Sequence, residues 1–401
     1  LLYLRAKESK SILYTTISVL SFLLALSVSE KVIVYPFILL FYEFSYGSLG
    51  KNWTRSLPYF GASFVWGLIL MTRISERVEY LQRTNGTAQA VQLYNPFVQI
   101  PVALTKYFQL YFWPFGQTLY HSEFRMDLPK YLFTLIITGT FLLLYIIAFK
   151  KNKKIFFWMS FFGISLLPTM NPFGLSWIVA ERYAYLGSVG IFVIIAYFLT
   201  KLIESKNYKT IGYLLLTFLI IGLTARTLWR NSEWKNVDTL WVATGKTSPS
   251  DPKTHNNLGD MYARHGDMNK AIESFSEAIR LNPNYAAAWY NRGNTYKHMQ
   301  KDDEALKDFQ VAVEKDPTIW QGYMNIAVIQ FNKGQINEAE QNLQKAIQLN
   351  PNNPSLLSNL GVVALTKGDK QTAIDYLHKA LQVDPENAFA KEWMQKAEAT
   401  P

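Results

Sequence analysis

Cysteine is absent from all 401 residues, which excludes disulfides, thiolate catalysis and cysteine-ligated zinc and leaves the redox compartment unmarked. No set of side chains at metal-ligand spacing stands out, so no metal site is expected. Nucleic-acid motifs are also missing, so the net charge of +10 does not point to a nucleic-acid partner. The chain opens at Leu1 without a methionine. No small-residue cleavage site follows its first basic and apolar stretch, so a signal peptide is not expected and the start reads as a truncation.

What is present divides into two parts. Mean hydropathy is +0.01, but the apolar residues are concentrated before residue 230, in runs such as 132–149 and 191–199. From 250 onward the chain reads as charged, soluble helices. Charge divides at the same place: residues 250–401 carry 16 Lys+Arg against 19 Asp+Glu, leaving 24 against 11 for the first part. The basic excess sits beside apolar runs, the pattern of loops facing anionic lipid.

A membrane-spanning helix needs about 20 mostly apolar residues. Residues 12–28, 130–149, 155–170, 177–199 and 210–228 are expected to span, with shorter candidates at 32–44, 58–71 and 101–115. Four basic clusters mark cytoplasmic ends: Arg5/Lys7/Lys10, Lys51/Arg55, Lys150/Lys151/Lys153/Lys154 and Lys201/Lys206/Lys209. The scheme closes if 101–115 re-enters or lies on the outer surface, and it places everything after Leu228 on the non-cytoplasmic side. Glu30/Lys31 and Glu181/Arg182 fall near the outer ends of apolar segments, where ionisable groups line a site or pair within the bundle. His121, Glu123, Arg125 and Asp127 gather in the outer loop, where carboxylates can do acid/base work or simply be solvated.

Prolines fall at 249, 283, 317, 351 and 385, each 34 residues after the last, and 34 is the period of the helix-turn-helix tetratricopeptide (TPR) unit. Alanines keep the beat at 271, 305, 339 and 373 and again at 278, 312, 346 and 380, as do Phe275, Phe309, Leu343 and Leu377. Small residues recur at Gly259, Gly293, Ala327 and Gly361, where helices must approach closely. The expected fold is all-α: a multi-pass helix bundle over 1–228, a linker or packing helix over 229–250, four TPR repeats over 251–385 and a capping helix over 386–401. Asn257, Asn291, Asn325 and Asn359 repeat with the same period and are expected on the concave groove. An amide offers one acceptor and two donors, so such a ladder can hold an extended peptide backbone or serve contacts between repeats. Tyr290, Asn294, Lys297, Met324, Phe331 and Asn332 are expected nearby.

Three stretches carry a resemblance: Ser29, Glu30 and Lys31 followed by VIVYPFILLFYEF at 32–44; Phe112, Trp113 and Pro114; and VAERYAYL at 179–186 followed by Ser188, Val189 and Gly190. With the repeats behind them, the chain resembles the transmembrane and tetratricopeptide-repeat-containing family, whose membrane part is similar to GT-C glycosyltransferases and whose animal members are O-mannosyltransferases. The resemblance implies transfer of a mannose-like sugar from a polyprenyl-phosphate donor to an acceptor protein held in the groove. It implies that Lys31 and Arg182, oriented by Glu30 and Glu181, meet the donor phosphate, with His121 and Glu123 in the outer loop. The family usually reads Ser-Lys-Glu where this chain has Ser29, Glu30 and Lys31. GT-C enzymes carry their catalytic Asp in a first external loop, which would precede Leu1, so no catalytic residue is assigned here. A non-catalytic membrane-anchored TPR scaffold is the alternative. A transporter fits less well, since no second hydrophobic half repeats the first.

Overall fold

The computed structural model of the protein describes residues 2–47, 49–85, 96–112, 128–169 and 181–399. Every regular element among them is helical, and the chain divides near Ser248 into two compact units.

The first unit comprises α1 (Leu2–Ser9), α2 (Ile12–Val28), α3 (Tyr35–Tyr46), α4 (Leu49–Asn52), α5 (Leu57–Asn85), α6 (Pro96–Phe112), α7 (Leu128–Lys151), α8 (Lys153–Leu166), α9 (Glu181–Glu204), α10 (Lys209–Glu233) and α11 (Val237–Thr247). Single 3₁₀ turns occupy Glu30–Val34, Trp53–Ser56 and Leu167–Thr169. Among the described residues, three helices are long and apolar enough to cross a membrane: α7, the Tyr185–Glu204 part of α9, and α10. A helix of a soluble protein would bury its apolar face. Here α10 leaves Leu214, Phe218 and Ile221 exposed, and α7 leaves Leu132, Phe133 and Ile136 exposed, as helices solvated by lipid chains do.

The expected span at 155–170 is shorter than anticipated. Helix α8 stops at Leu166, before a 3₁₀ turn containing Pro168, because proline disfavours the α conformation in the residue ahead of it. Its 14 residues reach only about 21 Å at 1.5 Å per residue. It is instead the centre of the unit. Phe157 and Ile164 pack on Val34 and Ile38, Phe156 and Met159 on Ala148 of α7, and Phe162 and Leu166 on Leu104, Tyr107 and Ile191 of α6 and α9. Gly190 permits the α8–α9 approach, since a Cβ there would sit 2.5 Å from the Trp158 carbonyl oxygen.

Helix α6 covers most of the 101–115 candidate and is packed inside the unit, with Val102, Ala103 and Tyr107 wholly buried. It runs parallel to α7: Tyr131 Oη donates to the Phe97 carbonyl at 3.1 Å near both starts, and the Phe108 and Phe141 rings lie 5.8 Å apart further along. Pro101 has no N–H to give the carbonyl four residues back, which is that of Phe97. The Tyr131 hydroxyl therefore supplies the donor the helix lacks.

The second unit stacks helix pairs: α12 (Pro252–Arg264) with α13 (Met268–Leu281), α14 (Ala286–His298) with α15 (Asp302–Lys315), α16 (Trp320–Asn332) with α17 (Ile336–Leu349), α18 (Pro354–Thr366) with α19 (Lys370–Val383), and then α20 (Ala388–Ala399). The 34-residue beat marks real packing sites. Ala271, Ala305, Ala339 and Ala373 are all fully buried, as are Ala278, Ala312, Ala346 and Ala380. Opposite the small residues lie the bulky ones, and a Cβ on Gly259 would come within 2.7 Å of the Phe275 ring. Asp251, Asp267, Asn353 and Asp369 accept backbone N–H bonds at the starts of α12, α13, α18 and α19, the usual side-chain cap of a helix start.

Candidate functional site

Two regions gather the chemistry-bearing side chains, one in each unit. In the first unit, ring contacts and hydrogen bonds fix which helix ends lie together. Phe44, near the end of α3, stacks on Phe149 at 5.7 Å and lies under Lys153 Nζ at 5.1 Å. Asn152 Nδ2 donates to Tyr197 Oη at 3.3 Å, and Lys201 Nζ sits over that tyrosine ring at 5.2 Å. The basic residues Lys150 to Lys154 and Lys201 therefore share one end of the unit with Lys7, Lys51 and Arg55.

That end is organised by a residue the sequence reading passed over. Glu43 is completely buried and accepts from Tyr3 Oη at 2.9 Å, Lys7 Nζ at 2.8 Å and Asn52 Nδ2 at 3.0 Å. Arg55 Nη1 donates to the Lys7 carbonyl at 3.2 Å. A buried carboxylate persists only when paired and hydrogen-bonded, and these three donors from α1 and α4 meet that need. The one available signal was a lone acid within the apolar run 32–44; its partner Lys7 lies 36 residues away and no local pattern links the two.

The opposite end holds the charged pairs expected at the outer side. Glu30 and Lys31 form the turn Glu30–Val34 that leads into α3, and this turn lies against Leu167–Thr169 at the end of α8. Helix α9 runs antiparallel to α8, with Gly187 against Phe162 and Leu166, so Glu181 and Arg182 in its first turn lie beyond Leu166 at this same end. The side chains of Glu30, Glu181 and Arg182 lie outside the described residues, while Lys31 is partly buried. His121, Glu123, Arg125 and Asp127 also lie outside the described residues, as do Trp113 and Pro114.

In the second unit the asparagine ladder lies on the first helices of the four repeats, α12, α14, α16 and α18. Asn257 Nδ2 donates to the Lys253 carbonyl at 2.7 Å, Asn291 Nδ2 to Asn256 Oδ1 at 3.0 Å, and Asn325 Nδ2 to Asn294 Oδ1 at 3.1 Å. Lys297 Nζ donates to Asn325 Oδ1 at 2.8 Å, and burial lowers the pKa of this lysine below the usual ammonium range. Asn257, Asn291 and Asn359 are partly exposed and Asn325 is buried. Tyr290 packs at a tilt against Phe309, with ring centres 5.7 Å apart. Two of the four amides thus link neighbouring repeats. Arg292 joins α14 to α15: Nε and Nη2 donate to both Asp308 carboxylate oxygens at 2.7 and 2.8 Å, and Nη1 to Ser276 Oγ at 2.9 Å.

Family models described as TPR repeat match residues 259–300 and 329–368, and models described as tetratricopeptide repeat match 286–319 and 354–387. Among characterised relatives, the chain is 36% identical over 136 residues to protein O-mannosyl-transferase Tmtc2 of Drosophila melanogaster, covering 33% of this chain and 14% of that protein. It is 32% identical over 165 residues to protein O-mannosyl-transferase F38B6.6 of Caenorhabditis elegans, covering 41% and 22%. Among solved structures, YrrB, described as a TPR protein with an unusual peptide-binding site, superposes with a TM-score of 0.36 at 19% identity, over 49% of this chain and 97% of that one. The matched segments span less than a quarter of the lengths of these two relatives. The chain carries tetratricopeptide repeats with distant, partial homology to the TMTC protein O-mannosyl-transferases.

Proposed function

We propose that this chain forms part of an integral-membrane glycosyltransferase that moves a mannose-like sugar from a polyprenyl-phosphate donor to a hydroxyl of a polypeptide held in its TPR groove. The observation that carries this reading is the gathering of Glu30/Lys31 and Glu181/Arg182 at one end of the first unit, opposite the lysine-rich end. A lipid phosphate at a membrane surface is met by cations, and Arg offers the planar fork that suits phosphate oxygens. Lys31 and Arg182 take that role, with Glu30 and Glu181 orienting them. His121 and Glu123, outside the described residues, are the further candidates for acting on the same donor. The partial homology to O-mannosyl-transferases supports the sugar class and the lipid-linked donor.

The lysine-rich end is the cytoplasmic one in this proposal. Helix α10 then carries the chain across the bilayer, and the repeats lie on the non-cytoplasmic side with the acceptor.

The test is sugar transfer in membranes carrying the chain within its complete open reading frame, supplied with radiolabelled polyprenyl-phosphate mannose. Label on protein that is lost with Arg182→Ala and reduced when Asn257, Asn291, Asn325 and Asn359 are all changed to Ala supports both halves. No transfer from several lipid-linked sugars, by a folded protein that still captures peptides, overturns the enzyme and leaves a membrane-anchored TPR scaffold. That second reading is favoured by the four stacked repeats, a binding surface that stands without any chemistry in the first unit.

A further inference from the structure

The groove is not uniform along its length. Three positions of each first helix recur every 34 residues beside the asparagine ladder, and their chemistry changes from repeat to repeat. In the first repeat they are Asn256, Asp260 and Ala263, and in the second Tyr290, Asn294 and Lys297. In the third they are Met324, Val328 and Phe331, and in the fourth Ser358, Val362 and Leu365. By residue type the first two repeats carry amides and charge and the last two are mostly apolar; Asn256, Ser358 and Val362 are buried, whereas Asn294, Lys297, Met324, Val328 and Phe331 are partly exposed.

The contacts between repeats place these rows side by side. Asn291 reaches back to Asn256, and Asn325 reaches back to Asn294 while accepting from Lys297. Phe331 and Met324 pack against a core cluster that joins the third repeat to Leu356, Leu360 and Val363 of the fourth. Lys297 therefore stands at the junction, with the polar stretch on one side and the apolar stretch on the other.

Its electrostatic position is unusual for a solvent-reachable lysine. The side chain is partly buried and its hydrogen-bond acceptor is the neutral Asn325 amide oxygen. Asp302 acts on it electrostatically without forming an ion pair, and Asp303, beside it in sequence, is paired with Lys333. Asp260 is paired with Arg264 at 3.1 Å. An ammonium that has given up part of its hydration for a neutral acceptor gains from an added carboxylate, because a bond between two opposite charges at reduced dielectric is stronger than the ion–dipole bond it supplements.

We propose that the groove holds an extended polypeptide bearing a carboxylate side chain that meets Lys297, next to apolar side chains that lie on Met324, Val328 and Phe331. The proposal rests on the groove reading above and narrows it, since the amide ladder alone would accept a backbone of any sequence. The carboxylate fixes the register, and the apolar row sets which neighbours are accepted.

The experiment uses the whole chain in lipid nanodiscs and three fluorescein-labelled peptides read by anisotropy. One carries a single Glu flanked on one side by Leu-Val-Leu, the second has Gln for that Glu, and the third keeps the Glu with Asn in place of the three apolar residues. The first is expected to bind about tenfold tighter than the second, the size of one charge-assisted hydrogen bond. Lys297→Gln brings the Glu peptide down to the affinity that the same variant has for the Gln peptide, whereas a merely structural role for Lys297 would weaken both peptides alike and keep their ratio. Met324→Gln, of similar size and partly exposed, narrows the gap between the first and third peptides. Equal binding of the Glu and Gln peptides to wild type overturns the carboxylate subsite and leaves a sequence-tolerant groove standing. Failure of all three peptides to bind overturns the groove itself.

Discussion

Glu43 is a completely buried carboxylate in the first unit, held by three donors. Its carboxylate is completely buried while Lys7 keeps 23% of its side chain exposed, so the two halves of the pair are unequal. Removing Lys7 leaves a buried charge with only Tyr3 and Asn52 to stabilise it, and one-sided loss of a buried pair costs about 3–5 kcal/mol. Lys7→Met is therefore expected to lower the detergent melting temperature sharply, and the double change with Glu43→Leu to restore most of it. A double variant no more stable than the single one would show that the carboxylate is not what suffers. In the second unit, burial raises the carboxyl pKa of Asp251 above its ordinary value of 3.8, against the lowering effect of its bonds from Thr254. The folded state thus binds this proton more tightly than the unfolded chain, and the stability it contributes is lost as pH rises through the raised value. Asparagine caps a helix equally well without the charge. Asp251→Asn should accordingly stabilise the repeats at neutral pH, with an advantage over wild type that shrinks as circular dichroism melts are taken towards pH 3.

At the scale of the element, the helix pairs of the repeats are set by small residues facing large ones. A Cβ on Gly293 would lie 2.9 Å from two carbons of the Phe309 ring, so Gly293→Ala is expected to cost about 1–3 kcal/mol through overpacking. The third repeat already contains the accommodated version, Ala327 with Leu343. Phe309→Leu in the Gly293→Ala background should recover much of the loss, and denaturant midpoints would show it. The turn between paired helices gives a second case. Gly266, Gly334 and Gly368 have φ of 81°, 77° and 83°, and the second repeat sets Gln300 at the same place with φ 59°. Gln300→Gly should gain up to about 1 kcal/mol, since only glycine enters that region without a steric cost. These features show why the repeats were legible: each packing requirement recurs every 34 residues, so one period reads the whole unit. The first unit has no such recurrence. Its long apolar runs announced α7, α9 and α10, but the short central α8 looked like another span because burial against protein and burial in lipid demand the same residues. The Glu43 cluster was illegible because its members come from α1, α3 and α4 and share no local pattern. The charge of the loops already put Glu30/Lys31 and Glu181/Arg182 at the outer ends of their apolar segments, and the antiparallel course of α8 and α9 sets the backbones of both pairs at one end of the unit.

For the molecule as a whole, the absence of cysteine turns the chain into its own background for single-cysteine accessibility. Lys51, Lys151 and Lys201 are exposed and belong to the lysine-rich end, so cysteines at these three positions should all react with a membrane-impermeant maleimide from one face of oriented vesicles. Tyr185, 80% exposed near the start of α9, belongs to the other end and should react only from the other face. Helix α10 has 25 residues, about 37 Å at 1.5 Å per residue, enough to cross the hydrocarbon once. If α10 crosses, the segment that follows it emerges on the Tyr185 side, because Lys209 starts from the lysine-rich end. Gln300→Cys, on a turn of the second repeat, is therefore expected to share the labelling face of Tyr185→Cys, and intact vesicles should protect it from reagent added on the Lys151 face. Labelling of Gln300→Cys together with Lys151→Cys would mean that α10 does not cross, and the repeats would then hold their polypeptide on the lysine-rich face, away from Arg182 and Lys31. An acceptor on that side could not meet a donor phosphate held at the opposite end, so this one comparison decides whether the proposed groove and the proposed phosphate site can serve a single transfer.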